Sequence, residues 1–344
     1  MTTGTARRWA TALSLWFAPA LALAARAPAP TRDTGSPAPD TGSPAQDTGS
    51  PAPDTGSPTQ DAGSPAWHPW LADLDGEGPG QPLDARFPTP PGFTRVAAEP
   101  RSFAAFLRTL PVRLDRTTVL DFRQRPLSRP SAAVILMDVG ETDAQQCADT
   151  AIRLYAEWRW ARGLGPSTSF HFTSGDRTRF SDWVAGERII AAGRGIERHR
   201  GAARGASHGS YRRWLDLVFR YAGTQSLRLD TKAVATDAPL FAGDVFVDPG
   251  SPGHAVVLLD VAESGDGRRV ALIGQGYMPA EELHVLGAGA PATVDGLWFV
   301  LPGPDGALVT PSWRPFSRAS ARRFDLTQGP GAGLGPTREH APNL

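Results

Sequence analysis

The chain predicts an α+β fold in which helices pack on an antiparallel sheet. Three observations carry this expectation. Helical periods concentrate before residue 221, strand-like periods concentrate after residue 244, and the late strands are joined by turns too short for helical crossovers. Large apolar side chains run from Trp67 to about residue 317. A segment of about 250 residues is enough for one core, so 67–317 reads as a single globular domain.

Ahead of it, Arg7 and Arg8 precede an apolar stretch from Trp9 to Leu23 that ends in Ala22-Leu23-Ala24. This is the pattern of a signal peptide over residues 1–24. A membrane span needs roughly 18 apolar residues, so no transmembrane anchor is expected after cleavage. The expected location is the periplasm, the cell envelope or the exterior. Residues 25–66 repeat Asp-Thr-Gly-Ser-Pro-Ala-Pro from Asp33, Asp40, Asp47 and Asp54, with a degenerate copy from Asp61. Pro and Gly in every copy exclude a coiled coil. Without large apolar side chains the repeats cannot offset their ordering entropy. They read as a disordered tether with a reach on the order of 35 Å, or as a solubilising length with no further role.

Within the domain, Ser102 starts a short helix with Phe103, Phe106, Leu107 and Leu110 on one face, which Pro111 stops. The run from Ala132 to Val139 reads as a buried strand. Thr142 and Gln145 match a capping box, so a helix is expected from there to Gly163. Alternation in Ser169-Phe-His-Phe-Thr-Ser places Phe170 and Phe172 on one face of a strand. Tyr211 to Tyr221 has a helical period. Strands are expected at Asp244–Asp248, His254–Ala262, Arg269–Ile273 and Leu297–Leu301, and the Gly- and Pro-rich residues 318–344 read as a loose tail.

The 35 basic and 35 acidic residues balance, so nothing draws the whole chain to nucleic acid. Arginines between Arg177 and Arg213 form a local excess that is either a solvated face or an anion site. Seven histidines without HxxxH spacing, and a lone cysteine, supply no recognisable metal set, although His171 and His284 can join His254 in space. Walker and Rossmann fingerprints are absent, and no cofactor is implied.

Cys147, the only cysteine, is unpaired in a chain expected to meet an oxidising compartment. Positions 147, 151, 154 and 158 are Cys, Ala, Leu and Trp, a stripe facing the core. The thiol is then either a nucleophile near a helix N-terminus or a small buried hydrophobe. If Thr142 is the N-cap, dipole help has decayed by Cys147; a start nearer Gln145 restores it. His254 heads an apolar strand, and Gln275 ends the neighbouring one. Cysteine, histidine and a polar orienter suit a thiol nucleophile with its base. A histidine bonded to a loop carbonyl fits the same residues.

Arg86-Phe-Pro-Thr-Pro-Pro-Gly-Phe, Ser102-Phe-Ala-Ala-Phe-Leu-Arg-Thr-Leu-Pro, Met137-Asp-Val-Gly, Gln145-Gln-Cys-Ala-Asp, Phe172-Thr-Ser-Gly, Tyr221-Ala-Gly-Thr and Gly250-Ser-Pro-Gly-His-Ala-Val resemble the bacterial family designated domain of unknown function 4846. The resemblance spans about Trp70 to Val285. More distantly, the Gly-Asp turn, the His-headed strand and the upstream helical cysteine resemble papain-like cell-wall hydrolases of the NlpC and CHAP kind. That resemblance implies a papain-like core with a helical insertion between Ser169 and Tyr221, and Cys147 as nucleophile, His254 as base and Gln275 as orienter. It also implies oxyanion contacts from the Cys147 backbone amide with Gln145 or Gln146, and a peptidoglycan peptide as partner. His171, Ser174 and Tyr277 are further binding candidates. The competing expectation is a non-catalytic envelope domain that binds through aromatics such as Trp158, Trp160, Trp183 and Tyr277, with Cys147 in the core.

Overall fold

Alternation along the His254 strand sets the architecture. Ala255, Val257 and Leu259 enter one hydrophobic cluster, while Val256 and Leu258 enter another, so the strand is buried on both faces. The computed structural model describes residues 67–74, 80–193, 195–287 and 293–327. The expected signal peptide and repeat tether lie outside them. Among the described residues, no helix is long and apolar enough to cross a membrane.

Ten strands form one antiparallel sheet. Its main path runs Thr231–Ala233, Ala321–Phe324, Val245–Asp248, His254–Ser264, Arg269–Gln275, His284–Leu286 and Ser131–Val134. Phe93–Arg95 pairs with the far end of the His254 strand, and Trp298–Val300 with the far end of the Arg269 strand. The chain is thus α+β with a large antiparallel sheet, as expected. Helices cover one face. The other is covered by the hairpin of Ala307–Thr310 and Trp313–Ser317, through Leu308 and Phe316.

The helix Phe103–Arg108 is capped by Ser102, whose Oγ accepts from Ala105 N at 3.2 Å. Phe103, Phe106 and Leu107 are buried, each worth about 1.5–3 kcal/mol, and Arg108 Nε holds the buried Asp260 at 2.6 Å.

The central helix is Cys147–Ala161, shorter at its start than the capping pattern at Thr142 suggests. Gln146 is the N-cap, and its N–H donates to Asp149 Oδ2 at 3.1 Å. Thr142 and Ala144 carbonyls instead accept tight bonds two residues ahead, at 2.8 and 2.9 Å, which no helix makes. Every residue from Cys147 to Arg159 is buried. The apolar stripe is therefore real but not the whole surface. On its polar side Arg153 Nε bonds Glu157 at 2.6 Å and Glu157 bonds His208 Nε2 at 2.8 Å.

Between Ser169 and Tyr221 the expected helical insertion is mixed. Two hairpins, Ser169–His171 with Arg177–Arg179 and Glu187–Ala192 with Gly195–Arg200, flank the short helix Phe180–Val184 and precede the helix His208–Tyr221. The tail is also ordered further than its composition suggests. Ala321–Phe324 is an inner strand of the sheet, and Phe324 stacks on Tyr155 at 4.2 Å. Apolar Ala321 and Phe324 supply the buried positions, and the Gly- and Pro-rich composition begins only at Gly329.

Candidate functional site

Cys147 is the first residue of its helix, directly after the N-cap. Backbone N–H groups in a first helical turn have no intrahelical acceptor, and their dipoles favour negative charge. Burial opposes this. The thiol is 7% exposed and is pushed up to about 11, chiefly by burial and then by the nearby Asp149. Asp149, also buried, has its carboxyl pushed up to about 8, and its Oδ1 has no hydrogen-bond partner.

The thiol donates to Gly253 O at 3.9 Å, and the backbone N–H of Ala255 also faces it. It therefore lies against the main chain on either side of His254. Glycine is required at 253 by the turn itself and by Thr224: a Cβ there would stand 2.4 Å from Thr224 Oγ1 and 2.9 Å from Asp248 O. Across the helix turn, a Cβ on Gly276 would meet Thr150 Oγ1 at 2.4 Å. Gly276 lets the helix N-terminus approach the end of the Arg269 strand, and Gly253 lets the turn before His254 fold against Thr224.

The His254 ring is fully buried and packs against Tyr277, Trp313 and Phe316 at centroid distances of 4.7, 5.1 and 5.9 Å. Burial pushes it down to about 4, so it is a neutral imidazole at neutral pH. Its Nε2 meets Gln275 Oε1 at 3.1 Å, and Nδ1 is buried with no hydrogen bond. Gln275 Nε2 in turn reaches Ser312 Oγ at 3.1 Å and His284 Nε2 at 3.4 Å. The thiol and the imidazole do not hydrogen-bond each other: Ala255, which faces the thiol, belongs to the helix-covered cluster, whereas the His254 ring packs on Trp313 and Phe316 on the hairpin-covered side.

A cavity of about 500 Å³ opens beside the helix N-terminus. Asp143, Gln146, Cys147 and Asp149 lie on one wall, Gly250 to Gly253 on another, and Phe219, Arg220 and Ala222 to Thr224 on a third. His254 and Gln275 do not line it. Arg220, Asp143 and Thr224 give the walls both charge signs and a hydroxyl.

The remaining candidates divide. Gln146 is on the cavity wall, with Nε2 on Asp143 Oδ1 at 3.1 Å. Gln145 is buried, and its Oε1 accepts from Arg153 at 3.2 Å. Tyr277 lies on the His254 ring and under the Arg129 guanidinium, 4.8 Å away. His171 is elsewhere, bound to Asp230 at 2.6 Å in a separate cavity of about 120 Å³. Ser174 donates to Asp176 at 2.7 Å on an exposed turn. Trp158 is buried, and Trp160 and Trp183 pack against the core. Of the two histidines expected to be able to join His254 in space, His284 does so through Gln275 and His171 does not, while Asp149 and Ser312 join the site without having been singled out. Asp149 follows Gln146 by three residues, but without Ser or Thr at the N-cap it lacked the capping-box signature, and Ser312, 37 residues beyond Gln275, had no signal either.

The family model for domain of unknown function 4846 matches residues 83–323, well over half of the 344-residue chain. No curated protein matches, and neither does any solved structure.

Proposed function

We propose that this chain, which belongs to the domain of unknown function 4846 family, is an exported thiol-dependent amide hydrolase with a papain-like core that acts on cell-wall peptides. One observation carries the reading: a cysteine at the first position of a buried helix, on a cavity wall, lies against the backbone flanking a histidine whose Nε2 is held by Gln275 and whose Nδ1 is unengaged.

With the thiol near 11 and the imidazole near 4, both are neutral at rest, so His254 acts as a general base during attack. The thiol turns from Gly253 O, its proton passes to Nδ1, and Sγ bonds to the amide carbon. The tetrahedral oxyanion is met by the backbone N–H of Cys147 with help from Gln146. The C–N bond breaks as Nδ1 returns the proton to the departing amine, leaving a thioester. Water then attacks the thioester, giving a proton to Nδ1. The C–S bond breaks, the carboxylic acid leaves, and the proton returns to sulfur.

The test is incubation of the folded protein with a purified peptidoglycan stem peptide, read by mass spectrometry. Hydrolysis that disappears in Cys147→Ala supports the reading, and hydrolysis undiminished in that variant removes it. The burial of the thiol favours one alternative, a non-catalytic envelope-associated binding domain with Cys147 as a core residue. That reading expects peptide or glycan binding to survive substitution of both Cys147 and His254.

A further inference from the structure

Behind His254 lies a buried chain of side chains whose hydrogen-bond polarity can be read from one end. The end is a main-chain carbonyl, Glu282 O, which can only accept. His284 Nδ1 stands 3.2 Å from it and must carry the hydrogen. Glu281 Oε1 stands 3.7 Å from the same nitrogen, beyond hydrogen-bond reach, and leaves the carbonyl as its partner. The His284 ring is fully buried, which favours the neutral form, so its Nε2 is a bare lone pair. A lone pair needs a donor, and the neighbour at 3.4 Å is the Gln275 amide, which must therefore present its NH₂ to His284. Its oxygen is then left for His254. An amide oxygen only accepts, so the His254 nitrogen 3.1 Å away, Nε2, carries the hydrogen. In a neutral ring the remaining nitrogen, Nδ1, is the base.

We propose that His284 is a positioning residue: through the Gln275 amide it holds His254 in the Nε2–H tautomer and keeps Nδ1 as a free lone pair. Nothing else bonded to Gln275 decides this. Ser312 Oγ takes the second N–H at 3.1 Å, but a hydroxyl donates as readily as it accepts and would tolerate a flipped amide. An imidazole anchored to a carbonyl would not. Tyr277, Trp313 and Phe316 keep water from replacing these partners around the His254 ring. The proposal rests on the hydrolase reading only for the use made of that lone pair.

Nitrogen-15 NMR of the histidine rings in the whole protein at neutral pH reports each tautomer, with His254→Gln and His284→Phe assigning the two spin systems. In the unmodified protein, His254 is expected to be protonated on Nε2 and bare on Nδ1, and His284 the reverse. His284→Phe should give His254 as a mixture of tautomers. His284→Gln, whose amide oxygen accepts the same N–H, should restore the single form. If hydrolysis is found, kcat in His284→Phe should fall with the fraction of His254 in the base tautomer, about twofold to tenfold, with KM unchanged. A His254 protonated on Nδ1 in the unmodified protein, its signals identified by their loss in His254→Gln, overturns the proposal even if no His284 variant folds. So does a His284→Phe protein whose His254 stays wholly in the Nε2–H form. Expected tautomers in a protein that cleaves no peptide would remove the hydrolase reading and leave this one standing.

Discussion

The two halves of the site are built on opposite principles. Cys147 has one long contact to a carbonyl and faces a cavity, whereas His254 is boxed by three aromatic rings and joined to a bonded chain running through Gln275 and His284. The difference teaches which partner moves. A side chain with fixed bonds on one edge and packed rings around it keeps its rotamer, while a thiol held at 3.9 Å can turn about a single bond. In the proposed reaction the imidazole keeps its place and the thiol is the side chain that turns.

The largest effect breaks the comparison on the cysteine side. Cys147→Ala should lower peptide hydrolysis by a factor on the order of 10³ or more and shift the urea midpoint little, because alanine fills most of the volume of the side chain. Paired turnover and unfolding measurements check both halves; a large loss of stability would mean that the thiol serves packing first.

Next comes reactivity at rest. A thiol near 11 is far less ionised at pH 7 than an ordinary one near 8.5, so alkylation by iodoacetamide should be about 10²-fold slower than for a free thiol. Its rate should keep climbing with pH beyond 9, since only the thiolate reacts. A plateau below pH 8 would show a thiolate–imidazole pair already formed, and the neutral resting state would be wrong. His254 titrates near 4, so His254→Ala should leave the profile unchanged between pH 6 and 9.

On the histidine side the effects are structural. Gln275→Leu leaves His254 Nε2–H and His284 Nε2 without partners in a buried site, a cost of about 1–3 kcal/mol that urea denaturation can measure. Gly253→Ala should cost a comparable amount, because the added methyl stands 2.9 Å from a main-chain oxygen that cannot give way. The smallest effect sharpens the comparison. Asp149→Asn removes a negative neighbour while keeping an acceptor for the Gln146 N–H, so alkylation of Cys147 above pH 8 should quicken by about two- to fivefold. Unchanged kinetics would leave burial alone responsible for the raised thiol.

Much of the fold was legible in the sequence because period and composition are local. The strands at 245–248, 254–264 and 269–275, the Ser102 cap and the helix ending at Tyr221 follow from alternation, from one hydroxyl and from a 3.6-residue period. Boundaries were less so. Thr142 and Gln145 matched a capping box, and only the contact of Asp149 with Gln146 N–H places Cys147 at the helix start rather than a turn inside it. The Arg-rich segment concealed a hairpin, since exposed strands alternate polar with polar.

By itself the sequence determined an α+β chain with one unpaired cysteine, a histidine heading an apolar strand and a glutamine ending the next. It did so because those facts are set by neighbours within a few positions. Only the tertiary structure decided that the thiol meets the backbone around His254, that burial outweighs the helix dipole at sulfur, and that His284 stands behind Gln275 with its polarity set by a carbonyl. Apart from the local Glu282–His284 contact, those outcomes depend on desolvation and on hydrogen bonds between residues 9 and 106 positions apart, which exist only once the sheet has paired.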